Sequence, residues 1–313
     1  MRIDFIKCHG SGNDFALVDA RGVERSDGEW GRIAGALADR RGPVGSDGLL
    51  LLTDGDASHA FGMRMFNSDG SEAETCLNGL RCVARAGFER HGIEQALVRL
   101  KTTSAEVWRD PDLAPGVVTV GELAGPASLD IDEWPMAIGR HQNVQMAIAG
   151  LSSERLFTAV AIPNPHLIAF VEAIDEAELI AVGQRCEAAP AWLPNRANVS
   201  FVVVRSEEEL FVRTHERGVG LTDSCGSAMA ASLFAACLTE RTRFAALVTL
   251  RNAGGLVHGC AQADGMVRLS GNATWEWQGS AAIGLDRGIA GDVVVERHFN
   301  DEIGAWGAAI DGE

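Results

Sequence analysis

Short apolar runs separated by Gly-Asp and Asn-Gly pairs fill the first third of the chain, a pattern of strands joined by tight turns. Phe15-Ala16-Leu17-Val18 and Leu49-Leu50-Leu51-Leu52 predict buried strands. Between them Trp30, Ile33, Ala34 and Leu37 recur at helical spacing, so residues 26–41 predict a helix. Ser26 or Asp27 is its expected N-cap and Gly42 its expected stop. After Val120 the chain loosens: Gly121, Gly125 and Pro126 precede the acidic Asp130, Asp132 and Glu133, which places a lobe boundary near residue 127. Strands are expected again at 157–162, 167–171, 199–204 and 210–214, with a helix at 175–182. Irregular alternation and hairpin signals predict α+β architecture with mostly antiparallel sheet, not a doubly wound fold.

The chain has 313 residues, room for two domains of ~150 residues. Its 46% hydrophobic and 22% charged residues are ordinary globular usage. Twenty-seven Lys and Arg against 43 Asp and Glu leave a net charge of −16. That surface repels phosphate backbones and anionic lipids, so neither nucleic acid nor membrane is an expected partner. No apolar run approaches the ~18 residues of a membrane span, and the first residues lack the apolar stretch of a signal peptide. Seven scattered cysteines, an odd number, predict reduced thiols and a cytoplasmic location.

An internal echo stands out. Asn67-Ser-Asp-Gly-Ser-Glu-Ala-Glu-Thr-Cys76 leads into Leu77-Asn78-Gly79, and Glu216-Arg-Gly-Val-Gly-Leu-Thr-Asp-Ser-Cys225 leads into Gly226-Ser227-Ala228. In both, a polar residue stands nine positions before a Cys, across a Gly-bearing loop. Helical patterns follow: Leu80, Val83, Ala84 and Phe88 in the first, Met229, Leu233, Phe234 and Cys237 in the second. One repeat this widely spaced predicts two similar lobes rather than a solenoid.

Each of these cysteines opens a helix, where outward-pointing N–H groups and the positive end of the dipole favour a thiolate and attract anions. Two such starts sharing one substrate would suit removal of an amino-acid α-proton, with N–H donors stabilising the charge that develops on the carboxylate. One thiolate could take the proton while the other thiol delivers one to the opposite face, inverting the centre without a cofactor. The ordinary use of a lone Cys is as a small core residue, and that is the expectation for Cys8, Cys82, Cys186, Cys237 and Cys260. Spacing alone leaves a Cys–His pair with His166 or His215 open. Metal spacing is absent, since His215-Glu216 lacks the second His of a zinc helix. Gly10-Ser11-Gly12-Asn13 is a partial dinucleotide loop with no convincing strand before it, and no phosphate loop exists.

Six blocks together resemble the diaminopimelate epimerase family: His9-Gly-Ser-Gly-Asn13-Asp-Phe15; Gly45-Ser-Asp47-Gly48; Phe66-Asn67-Ser-Asp-Gly-Ser-Glu72 running into Cys76-Leu-Asn78-Gly79-Leu-Arg81-Cys82; Asn164-Pro-His166; Asn195-Arg-Ala-Asn198-Val; and Glu216-Arg217-Gly-Val-Gly running into Cys225-Gly-Ser. A weaker match covers Asp264-Gly-Met-Val-Arg-Leu-Ser-Gly271. The resemblance implies two pseudosymmetric α+β lobes, each a mostly antiparallel sheet or barrel wrapped around a central helix, with the active site in the cleft between them. The lobes are expected at 1–127, with Cys76, and 128–275, with Cys225, and a tail at 276–313 is expected to pack back on the first.

The resemblance further implies cofactor-independent epimerisation of LL- to meso-diaminopimelate in lysine and peptidoglycan-precursor synthesis, with Cys76 and Cys225 as the acid/base pair and no metal. The N–H groups of Leu77, Asn78, Gly226 and Ser227 would hold the reacting carboxylate. Asn67, Asn198 and Arg217 would hold the distal carboxylate, Glu216 with Asn164 the distal ammonium, and Asn13 would line the cleft. The Asn residues could instead serve local turns, and Glu216 with Arg217 could be a solvated pair. Three positions depart from the family pattern: Leu77 and Ala228 stand for Gly, and Leu221 for an acidic residue. They leave open a racemase for another amino acid, such as histidine, or a non-catalytic amino-acid-binding relative. The family suggests homodimers, although this chain has no Tyr for a Tyr-based contact.

Overall fold

The computed structural model describes residues 1–311. Five α-helices are present among them: α1 (Asp27–Ala38), α2 (Leu77–His91), α3 (Glu176–Glu187), α4 (Gly226–Leu238) and α5 (Asn300–Asp311). Two compact units form, one from Met1–Glu122 with the chain from Ser270 on, the other from Leu123–Leu269. The sequence places the divide near 127 and a tail from 276. The units change over at 122/123 and 269/270, within the strands Thr119–Ala124 and Val267–Asn272. Among the described residues, no helix is long and apolar enough to cross a membrane.

The first unit opens with a hairpin. Strand Arg2–Gly10 pairs antiparallel with Asn13–Asp19, and Ser11 and Gly12 turn it with φ of 51° and 79°, the left-handed pair that matches strand twist. A strand therefore does precede the Gly10-Ser-Gly-Asn13 segment, correcting the expectation, but it leads into a second strand and not into a phosphate-binding helix. Lys7 hides this strand from a pattern search: it is buried, and its ion pairs with Asp14 and Glu276 make that tolerable.

After α1, strand Gly48–Asp54 lies parallel to Asn13–Asp19 and antiparallel to Phe61–Asn67. Its uninterrupted leucines are explained by burial on both faces. Leu49 and Leu51 pack with Trp30, Ile33, Ala34 and Leu37 of α1, and Leu50 and Leu52 with Leu80, Val83 and Ala84 of α2. Helix α2 is buried along most of its length, the behaviour of a helix enclosed by sheet. Helix α1 starts as expected, with Ser26 and Glu29 forming a reciprocal capping box. It stops at Ala38 rather than Arg41, because the Asp39 carboxylate accepts the Arg41 N–H at 3.0 Å, a local bond that competes with the helix. Beyond Ser270, strand Thr274–Gly284 pairs antiparallel with both Arg2–Gly10 and Ile289–His298.

The second unit repeats this plan. Strand Thr158–Ala161 pairs antiparallel with Pro165–Phe170, α3 follows, and Asn198–Ser206 returns parallel to Pro165–Phe170. Glu209–Glu216 pairs antiparallel with Asn198–Ser206, the short Gly220–Thr222 adds to it, α4 follows, and Val248–Asn252 runs parallel to Glu209–Glu216. In the first unit the same succession ends with Glu72–Ala73, α2 and then Gln95–Arg99 parallel to Phe61–Asn67. Antiparallel pairing dominates both. Helix α4, with almost no polar surface, is enclosed as α2 is. Helix α3 continues past the expected Val182 to Glu187. Gly183 does not break it: a Cβ there would meet the His215 ring at 2.2 Å, so glycine is required for close packing.

Candidate active site

Topology places the sequence-selected residues at matching points of the two units. Asn13 begins its strand two residues before Phe15, which registers with Gly48; Asn164 stands two residues before His166, which registers with Asn198. Asn67 ends strand Phe61–Asn67, and Glu216 ends strand Glu209–Glu216. Cys76 and Cys225 are the N-caps of α2 and α4, both extended, with φ of −151° and −135°. The echo in the sequence is thus one structural motif built twice: the open end of a sheet around the start of an enclosed helix.

In the first unit, Cys76, Asn13 and Asn78 form one hydrogen-bonded group. The Cys76 thiol donates to Asn13 Oδ1 at 3.8 Å, and Asn78 Nδ2 donates to the same oxygen at 3.4 Å. Gly79 N–H donates to Cys76 Sγ at 3.4 Å, so the sulfur itself caps the helix. In the first turn of a helix the backbone N–H groups point outward, where they can meet an anion. Leu77 is half-buried and packs against the core of its unit, which leaves its backbone as its contribution at the helix start. Asn67 is turned to local use: its Nδ2 donates to Ser71 Oγ at 3.0 Å within the Asn67–Ser71 turn.

Beneath this group lies a cluster that sequence reasoning does not anticipate. Arg81 is fully buried and donates to Asn78 Oδ1 at 2.8 Å, Ser11 Oγ at 3.1 Å, Asn272 O at 3.2 Å and Glu122 Oε1 at 2.9 Å. It ties the hairpin turn that carries Asn13 to the first turn of α2. Glu122 is fully buried too, and among the described residues its second oxygen has no hydrogen-bond partner. Burial pushes the Glu122 carboxyl up to about 7, although the Arg81 guanidinium draws it down. A charged residue between Leu80 and Cys82 on an apolar helix, and an acid in Val120-Gly-Glu-Leu, are the signals that could have revealed the pair.

In the second unit, Asn164, Asn198 and Arg217 gather around His166. Asn198 Oδ1 accepts the Arg217 N–H at 2.7 Å, so its Nδ2 is the group that faces His166 Nε2, at 3.4 Å; Asn164 Oδ1 lies 3.3 Å from the same nitrogen. Arg217 also donates from Nη1 to Asn195 O at 2.9 Å. Glu187, at the end of α3, accepts the Gly218 N–H at 3.0 Å and pairs with Arg196, pinning the turn that carries Arg217. Cys225 Sγ lies 3.5 Å from Ser227 Oγ. Leu221 packs on the core of the unit, and Ala228 is buried within α4.

Burial, reinforced by the nearby Arg217 charge, pushes His166 down to about 3. A base that weak holds no proton near neutral pH, which argues against the Cys–His pairing that sequence left open. His215 is lowered as well, by burial, and its ring packs against Gly183 of α3. Among the described residues, no group of three or more His, Cys, Asp and Glu is arranged to hold a metal ion.

The family model described as diaminopimelate epimerase matches residues 5–110 and 158–275. The chain is 37% identical to a diaminopimelate epimerase of Clostridium acetobutylicum over 98% of this chain and 93% of the relative. It is 35% identical to that of Listeria monocytogenes serovar 1/2a over 91% and 90%. A hydroxyproline epimerase from Agrobacterium vitis has the same fold, with a TM-score of 0.63 at 14% identity over 99% of this chain and 98% of that one. A phenazine biosynthesis protein of the PhzF family from Bacillus anthracis gives 0.63 at 14% identity over 90% and 100%. These two structural likenesses speak for the fold, while the match along both halves of the sequence decides the lineage: the chain belongs to the diaminopimelate epimerase family.

Proposed function

We propose that this protein interconverts LL- and meso-diaminopimelate through two bases, Cys76 and Cys225. The observation that carries the proposal is the repeated placement of a cysteine as N-cap of an enclosed helix, once in each unit. In one direction a thiolate takes the α-proton, the C–H electrons pass to the α-carbon, and the other thiol supplies a proton to the opposite face. The two sulfurs end with their protonation exchanged. Outward N–H groups of Leu77, Asn78, Gly226 and Ser227 hold the reacting carboxylate and stabilise the charge that grows on it. No cofactor is needed for this chemistry.

Arg217 holds the distal carboxylate, with Asn198, which fixes the Arg217 backbone, and with the Asn67 Nδ2 hydrogen that Ser71 does not take; Glu216 with Asn164 holds the distal ammonium. Donors for a second carboxylate and acceptors for a second ammonium, away from the cysteines, suit a substrate that is an amino acid at both ends. We place the protein in the cytoplasm, where thiols stay reduced, as a homodimer that engages neither nucleic acid nor membrane.

Incubation in heavy water tests the proposal. The meso-diaminopimelate that forms from the LL isomer should carry deuterium at its inverted α-carbon. No exchange would sink the proposal, and exchange only with another amino acid, such as histidine, would transfer the activity to a racemase. Arg217→Ala removes a charge-assisted bond, so kcat/KM for diaminopimelate should fall about 10- to 10²-fold. Exchange of a monocarboxylic amino acid, if any is accepted, should change little; equal losses would count against the distal clamp.

A further inference from the structure

Asp47, in the Gly45-Ser-Asp47-Gly48 block, holds the far end of the Asn13 side chain. Its Oδ2 accepts Asn13 Nδ2 at 2.6 Å and the Asp14 N–H at 3.1 Å. An ionised carboxylate can only accept, so the NH2 end of Asn13 must face Asp47. The carbonyl oxygen of Asn13 is thereby turned the other way, onto Asn78 Nδ2 and the Cys76 thiol.

Asp47 is itself held in place. Its Oδ1 accepts from Arg40 Nη2 at 2.6 Å, and Arg40 also bonds Asp14 at 2.9 and 2.5 Å. Asp14 pairs with Lys7, and Lys7 lies 3.9 Å from Glu276. The loop that carries Asp47 turns at Gly45, with φ of +65°, a conformation that favours glycine. Ser46 Oγ donates to Gly48 O at 3.0 Å and closes the loop.

Opposed groups meet at the Cys76 sulfur. The Gly79 N–H and the start of α2 favour the thiolate. Asn13 Oδ1 accepts the S–H proton and favours the thiol. We propose that Asp47 is a positioning residue: by fixing the Asn13 amide it holds Cys76 as the thiol, the proton-donating partner, in the substrate-free protein. The catalytic meaning of this rests on the two-base function proposed above. When Cys76 gives its proton to the α-carbanion, the S–H bond breaks, a C–H bond forms, and the electron pair stays on a sulfur already supported by the Gly79 N–H.

Asp47→Asn tests the assignment. The new side chain is nearly isosteric and the site is 42% exposed, so the fold is kept. An amide there can offer either end, which lets Asn13 rotate and present its NH2 to the sulfur. The full chain without substrate is treated with iodoacetamide at pH 7, and alkylation of each cysteine is followed by peptide mass spectrometry. Because only the thiolate reacts, Cys76 should be alkylated about three- to tenfold faster in Asp47→Asn than in the unaltered protein. Cys225 serves as the internal standard and should keep its rate. Asp47→Glu, which retains an acceptor-only group, should stay close to the unaltered protein.

A Cys76 rate unchanged in Asp47→Asn, or both cysteines speeding up together, would overturn the assignment; so would Asp47→Glu behaving as Asp47→Asn does. With diaminopimelate, Asp47→Asn should lower kcat while KM stays within about threefold, since the hydrogen bond it disturbs is the one to the reacting sulfur. Failure of the unaltered protein to exchange the α-proton would remove the functional reading and leave the alkylation result standing. Exchange without the alkylation contrast would remove the role of Asp47 alone.

Discussion

Replacing Cys76 or Cys225 with alanine is expected to slow LL/meso interconversion by about 10²- to 10⁴-fold in each case. The double variant should lose little more than either single one, because in the proposed mechanism the two thiols act as a unit and removal of either breaks the proton exchange. Chiral chromatography of the diaminopimelate isomers gives the rate, and circular dichroism checks the fold. Cys76→Ala also removes the sulfur that accepts the Gly79 N–H, a cap whose loss costs about 1 kcal/mol and is too small to explain an inactive protein. Cys186→Ala is the contrast. Burial pushes that thiol up to about 12, so it is a neutral core group, and its removal should leave turnover in place. Either catalytic variant keeping turnover within tenfold of the unaltered protein would rule out the two-base assignment.

The largest effect on stability is expected at Arg81. Arg81→Met removes four hydrogen bonds and leaves Glu122 buried without its counter-charge, and breaking such a pair costs about 3–5 kcal/mol. The loss should depend on pH, and its sign follows from Glu122. Its carboxyl lies at about 7 when folded, above its ordinary value of 4.5. The folded protein therefore holds a proton there that the unfolded chain releases, a contribution present at low pH and lost as pH rises through 7. Without Arg81 the carboxyl titrates higher still. At pH 6 Glu122 is mostly neutral in both proteins; at pH 8 the unaltered protein buries it charged beside Arg81, whereas the variant must protonate it or bury it unpaired. The deficit should be smaller at pH 6 than at pH 8.

Urea titration followed by tryptophan fluorescence measures this, since Trp30, Trp108, Trp275, Trp277 and Trp306 all lie in the unit that contains Arg81. A deficit at pH 8 below about 1 kcal/mol, the worth of an exposed pair, would mean that Arg81 and Glu122 are not a buried ion pair in solution. A deficit equal at both pH values would deny Glu122 its raised titration.

Features under local chemical control were legible in the sequence. The start of α1 at Ser26 or Asp27 could be read because N-cap residues act within one turn, and the structure settles on Ser26, whose capping box with Glu29 closes locally. The apolar run at Leu49–Leu52 marks a strand covered on both faces, and the nine-residue spacing to each Cys marks the repeat, because the same turn and helix start need the same kinds of residue twice. Other features depend on partners far along the chain and emerge only in the folded molecule. Lys7 lies in a strand because Asp14 meets its charge; α3 runs on through Gly183 because the His215 ring needs that space; Arg81 is interior because Glu122, Ser11 and Asn272 receive its protons. The orientation of the Asn13 amide, invisible in a string of letters, follows from a carboxylate 34 positions away. Burying a charge or an amide dipole is unfavourable until every partner has arrived, so such features belong to the assembled fold and not to any segment of it.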